Sequence, residues 1–276
     1  MGLLNRLFGR GNTPPEKEMS VSHLAFVLLS KARPPEVQKI ARALRDFPAL
    51  DESLQAEEDE DEGHACKEVI SLKLNTGERA IVALYDAPVP NGEADHYAQY
   101  SLSSFRNGWT LPPHCANYVV AFNPAVPASP IVQLSRFTSL LAAVTKSSPA
   151  VGVYWGNAGA THDSEFFLSI ASRPGIVPRM TLWSGVSIAR EKSGRLSLLS
   201  LGMKQLNLPD FLLTADKSSA NDAAATLFDL LSYVANRGEA IPEGHTVGTT
   251  AVQRLPVHYV QSPIDSAKKV CRVELP

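Results

Sequence analysis

Apolar residues in this chain come in runs of strand length separated by single amphipathic segments, and that alternation limits the fold more than any other feature. Residues 23–30, His-Leu-Ala-Phe-Val-Leu-Leu-Ser, form a continuous apolar run, which reads as a buried strand. Arg33-Pro34-Pro35 then opens a segment with Val37, Ile40, Ala41 and Leu44 at helical spacing. Proline is favoured in a first helical turn because its missing amide would be unpaired there anyway. Val69, Ile70, Leu72 and Leu74, followed by Ala80 to Tyr85, predict two strands around Asn75-Thr76-Gly77, whose Asn and Gly suit the positive φ of a hairpin turn. After Pro88 and Pro90 a helix is expected near 93–104, then a strand over Ala116 to Phe122. The order is βαββαβ, which predicts an α+β fold with a ferredoxin-like first half, two helices on one face of a four-stranded antiparallel sheet.

An amphipathic helix at 134–146, with Phe137, Leu140, Leu141 and Val144 on one side, leads to a buried strand from Val151 to Trp155. Further on, strands are expected near 180–190 and 195–201, joined through Lys192-Ser193-Gly194. A long helix near 219–236 is closed by Gly238, and short strands follow near 245–248, 255–260 and 270–275. These make a second α+β half packed on the first. Arg173-Pro-Gly-Ile-Val-Pro-Arg179 carries two prolines and one glycine and is the best boundary. The division is an N-terminal extension, 1–19, a first half, 20–172, and a second half, 173–276.

Charge is distributed less evenly than its total suggests. The chain of 276 residues carries 26 Lys and Arg against 28 Asp and Glu, a formal net charge of -2. Eight of those acids, Asp51, Glu52, Glu57, Glu58, Asp59, Glu60, Asp61 and Glu62, fall within residues 51–62, leaving 26 positive against 20 negative elsewhere. The acidic stretch has no apolar period and reads as a loop whose like charges repel, so that deleting 57–62 would leave the core intact. Glu57, Glu58, Asp59, Glu60, Asp61 and Glu62 are the candidate electrostatic contact for a basic protein partner. The remaining Lys and Arg are dispersed, which disfavours nucleic acid. A hydrophobic fraction of 44% and a charged fraction of 20% exclude a wholly disordered or collagenous chain.

The apolar run Leu24 to Leu29 is far shorter than the ~20 residues of a spanning helix, so no membrane span is expected. Asn5 and Arg6 interrupt any secretory h-region, and Arg6 also breaks the myristoylation pattern begun by Gly2. Three widely spaced cysteines, Cys66, Cys115 and Cys271, fit a reducing cytoplasm rather than a disulfide framework. Cys115 and Cys271 read as core thiols. The seven histidines never occur at metal-ligand spacing, so neither metal nor cofactor is expected.

Val151-Gly-Val-Tyr-Trp-Gly-Asn-Ala-Gly-Ala-Thr-His-Asp-Ser-Glu-Phe-Phe-Leu168 resembles a segment of an uncharacterised bacterial family, domain of unknown function 4261. So do Leu198-Leu-Ser-Leu-Gly-Met-Lys-Gln-Leu-Asn-Leu-Pro-Asp-Phe211 and Glu243-Gly-His-Thr-Val-Gly248, the latter with downstream Val257, Ser262 and Pro263. The family has an acid where His245 stands here. The resemblance spans roughly residues 20–275 and implies no known reaction. It implies cytoplasmic bacterial proteins, some encoded beside toxin or secretion-system genes, and so a partner-binding role.

The strand, glycine-containing loop and helix from Val151 to Ala171 form the one candidate ligand loop: Trp155, Gly156, Asn157, Gly159, His162 and Glu165, with His245 from a second glycine-containing turn. Asp163 is placed to cap the helix, whose free amides could accept an anion. No phosphate-binding motif, nucleophile elbow or paired carboxylate is assembled, and no catalytic residue is assigned. The expected function is therefore binding of another protein, as an immunity or adaptor protein linked to a toxin or type VI secretion system. The alternative is a hydrolase acting on a phosphorylated or sugar-like ligand at the Gly156–His162 loop.

Overall fold

A computed structural model describes residues 23–50, 52–59, 67–124, 128–216, 219–248 and 253–276. In chain order the first half contains β1 (His23–Leu29), α1 (Val37–Leu44), β2 (Ala56–Glu58), β3 (Val69–Leu74), β4 (Arg79–Tyr85), α2 (Glu93–Ala98), α3 (Leu102–Asn107), β5 (Ala116–Asn123), α4 (Pro130–Lys146), β6 (Ala150–Trp155), β7 (Ala160–Asp163) and α5 (Ser164–Ala171). The second contains α6 (Ile176–Trp183), β8 (Gly185–Arg190), β9 (Leu196–Leu201), β10 (Phe211–Ala215), α7 (Ala220–Arg237), β11 (Thr246–Val247), β12 (Leu255–Gln261) and β13 (Lys269–Leu275).

Two sheets result, one of seven strands in the order β2-β3-β4-β5-β1-β6-β7 and one of six in the order β11-β12-β13-β10-β9-β8. The fold is α+β as expected. The four strands expected in the first half lie side by side in the order β3-β4-β5-β1. Sheet continuation through β6 and β7 enlarges the first half beyond four strands. In the six-stranded sheet β10 pairs parallel with β13 and antiparallel with β9.

The long helices form where their ends are satisfied. Ser129 Oγ accepts from the Val132 amide and Pro130 opens α4, while α7 starts on Ser219 and stops at Gly238, whose φ is 69°. Both lay apolar faces against the sheets. Leu134, Phe137, Leu140, Leu141 and Val144 of α4 share one continuous buried cluster with Leu227, Leu231 and Val234 of α7 and with inward residues of both sheets. Each such side chain contributes about 1.5–3 kcal/mol by leaving water, so the halves are held by shared apolar burial.

Three expectations are corrected. Residues 180–183 belong to helix α6, and the strand begins only at Gly185. Pro178 is tolerated there because first-turn amides have no intrahelical acceptor. The helix expected near 93–104 is two short ones, separated where Ser101 caps α3 by accepting from Ser103 N. Cys115 is exposed, its Sγ 3.3 Å from Ser30 O, whereas Cys271 is buried as expected. Burial pushes the Cys271 thiol up to about 12.

Candidate functional site

The expected ligand loop is folded into the junction between the two halves. Trp155 ends β6 fully buried, its ring edge-on to Phe137 at 5.0 Å. A short turn over Gly156–Ala158 follows, then Gly159 at φ 65°, and the chain returns as β7, pairing Trp155 with Ala160 and Val153 with His162. Sequence reading missed β7, because Ala160-Thr-His-Asp163 has no apolar run. Asp163 does cap α5, its Oδ2 accepting from Phe166 N at 3.2 Å.

Glycines from both halves let this turn meet the second sheet backbone to backbone. A Cβ on Gly159 would lie 2.8 Å from Leu201 Cβ, one on Gly185 would lie 2.4 Å from Gly159 O, and one on Gly202 would lie 2.6 Å from Asn157 O. Gly202 has φ 106°, a conformation open to glycine alone at little cost. Trp183 joins the same region, Nε1 donating to Thr138 Oγ1 at 2.8 Å while its carbonyl accepts from Gln205 Nε2 at 2.7 Å.

His162 is fully buried, and both ring nitrogens have partners: Nε2 is 3.1 Å from Leu182 O and Nδ1 is 2.9 Å from Ser101 Oγ. A carbonyl only accepts, so Nε2 carries the hydrogen and Nδ1 accepts from the Ser101 hydroxyl. Ser101 and Ser103 hydroxyls are 2.6 Å apart, and Ser103 Oγ accepts from Asp163 N at 3.2 Å. Burial pushes the imidazole down to about 4, the bond to Leu182 O opposing this only in part. The ring therefore stays neutral and ties α3, β7 and α6 together.

The remaining loop residues are dispersed. Gly156, Asn157 and Glu165 are exposed. His245 is exposed just before β11, its amide donating to Pro242 O at 3.2 Å and its carbonyl accepting from Val257 N at 2.8 Å. β11 lies at the edge of its sheet opposite β8, so His245 is not brought to His162. Near it, His258 Nδ1 lies 2.9 Å from Glu243 Oε1.

The acidic segment is more structured than expected over its described part. Glu57 and Glu58 stand exposed on β2, an edge strand, with Glu57 opposite Lys73. Asp59 is buried and ion-paired with Arg79 Nε at 3.2 Å. Glu52 holds Arg136 Nη2 at 2.8 Å, and the same guanidinium meets the fully buried Glu78. Deleting 57–62 would thus remove β2 and the buried Asp59 carboxylate that pairs with Arg79, contrary to the expectation that the core would be untouched. Asp51, Glu60, Asp61 and Glu62 lie outside the described residues, as do His64 and Cys66.

Sequence reasoning also missed Arg179, which is fully buried without a carboxylate partner among the described residues. It bonds Ser135 Oγ, Pro48 O and, at 3.3 Å, Ala171 O, and burial lowers its guanidinium to about 10. No local pattern announces such a residue, because its acceptors come from three separate segments.

Fold and junction define a two-sheet α+β protein with a polar-tethered interior. Residues 199–274, from the end of β9 through β13, match the family model described as a domain of unknown function (DUF4261), which bears out the resemblance over that stretch. No curated protein matches the chain, and no solved structure matches it. No helix among the described residues is long and apolar enough to cross a membrane.

Proposed function

We infer that the protein works by binding another protein, with its acidic segment as an electrostatic contact for a basic partner. The observation that supports this is the exposure of Glu57 and Glu58 on edge strand β2, anchored at one end by the ion pair of buried Asp59 with half-exposed Arg79. Glu57 and Glu58 alternate between the two faces of the strand, so together they make the sheet edge acidic, and Glu60, Asp61 and Glu62 follow directly in the chain. A field of one sign speeds encounter with an oppositely charged surface and weakens with salt. Sequence resemblance supports the narrower reading, an immunity or adaptor protein beside a bacterial toxin or type VI secretion system.

Purification from the native host at low salt, with mass-spectrometric identification of what accompanies the protein, tests this reading. A basic partner is expected, and its association rate should fall about tenfold when Glu58→Gln, Glu60→Gln, Asp61→Asn and Glu62→Gln are combined. Those four leave Glu57 beside Lys73 and Asp59 on Arg79. Recovery of the protein alone at low salt, or a rate indifferent to the four substitutions, contradicts it.

A further inference from the structure

Helices cover one face of each sheet, and α2 also packs on the outward face of the seven-stranded sheet at β6 and β7, where Thr161 Oγ1 donates to Ala94 O at 2.7 Å. On the six-stranded sheet the outward row Ala189–Ser197–Thr214–Glu274 is mostly polar, and the next, Ser187–Leu199–Leu212–Arg272–His258, sets two leucines among polar residues. The seven-stranded sheet carries the longer apolar run over β3, β4, β5 and β1. Its register aligns Val69, Ala83, Val119 and Phe26 in one outward row. Ile81, Ala121 and Leu24 follow Ser71 in the next.

The apolar residues of both rows are half-buried. Apart from Phe26, which packs under Tyr154 at the β6 side, none of them belongs to or packs on either apolar cluster among the described residues. Contiguous apolar surface of this kind marks an interaction site.

We propose that this face is where two copies of the chain associate, packing sheet on sheet. The rim decides between occupants. The row beyond Ser71 carries Glu57, Lys73 and Arg79, the last paired with Asp59, so its charges balance. A face with a balanced rim and an apolar centre complements itself rather than a partner of one sign. A two-fold axis parallel to the strands sets β2 of each copy over the β1 side of the other, which keeps the two acidic segments apart on opposite flanks. Four strands spaced about 4.8 Å apart give a flat footprint of roughly 400 Å² per copy, which places the association in the weak, reversible class. The inference does not rest on the binding of a basic partner.

Sedimentation of the full chain from low micromolar to several hundred micromolar concentration tests it. The average mass should climb toward twice the 29.8 kDa of one chain, whereas Val119→Glu and, separately, Ile81→Lys should stay at one chain mass with unchanged circular dichroism. Ser187→Lys, on the outer face of the other sheet, should associate like the parent. A parent that stays monomeric throughout overturns the proposal, whether residues 1–22 or another protein cover the face. Folded Val119→Glu and Ile81→Lys variants that still dimerise overturn it too. If one of them fails to fold, the other and the parent's concentration series decide.

Discussion

Gly202→Ala will destabilise the protein by about 3 kcal/mol or more, lowering Tm by roughly 10 °C. Two causes add. Gly202 has φ 106°, which an L side chain adopts only with strain. Its new Cβ would also meet Asn157 O at 2.6 Å, Ala158 Cα at 2.8 Å and Trp183 O at 3.0 Å. All three are backbone atoms, so no side-chain rotation relieves the clash, and the turn after β6 must separate from the second sheet. Gly194→Ala supplies the comparison: φ there is 88°, but nothing lies within 4 Å of the added Cβ, so strain alone should cost about 1 kcal/mol. Equal losses in the two variants, measured by denaturant unfolding, would mean that the halves are not pressed together at this point.

Acidification should weaken the fold through His162. Burial holds its pKa in the folded protein at about 4, below the ordinary 6.5 of histidine, so on falling pH the unfolded chain takes up a proton that the folded chain refuses. Stability is therefore full above pH 6.5 and is lost as pH falls from there to 4, by about 3 kcal/mol from this group. His23, lowered in the same direction by burial, adds to the slope. Carboxylates titrate in the same range, so the comparison is with His162→Gln, which removes the proton site while keeping hydrogen-bonding capacity. The parent should lose about 3 kcal/mol more than the variant between pH 7 and 4. Identical pH profiles would show that the ring is charged inside the fold.

The elements legible in the sequence are those whose signal is local. The Asn75–Gly77 hairpin and the stop of α7 at Gly238 follow from turn and cap chemistry within a few residues, whereas α4, expected from 134 on its apolar period, starts earlier on the Ser129–Pro130 cap. Burial of Cys271 follows from its apolar neighbours. What was hidden depends on distant partners. β7 is polar in composition and is a strand because β6 offers it an edge. Ile176 to Trp183 is rich in β-branched and aromatic residues and reads as the approach to a strand, yet it is helical because Met180, Leu182 and Trp183 bury into the shared core. Asp59 looks like one more solvated acid, and only Arg79, across the sheet, explains its burial. Of the candidate ligand loop, the turn glycines and the Asp163 cap were legible, but not the second-half glycines that the turn meets. His162 drew attention as a lone histidine near a glycine turn, while its partners Ser101 and Leu182 carry no mark in sequence.

The Gly156–His162 segment is a clasp that joins the two halves into one cooperative unit. Native-state hydrogen exchange tests it most directly at two amides, Gly159 N, bonded to Gly156 O at 3.0 Å, and Val186 N, bonded to Tyr100 O at 2.8 Å across the junction. Both should exchange only with global unfolding, at the same free energy as the core of β1 and β10. Exchange of either at a free energy well below the global value would show that the segment opens on its own or that the halves part before they unfold, and would contradict the account.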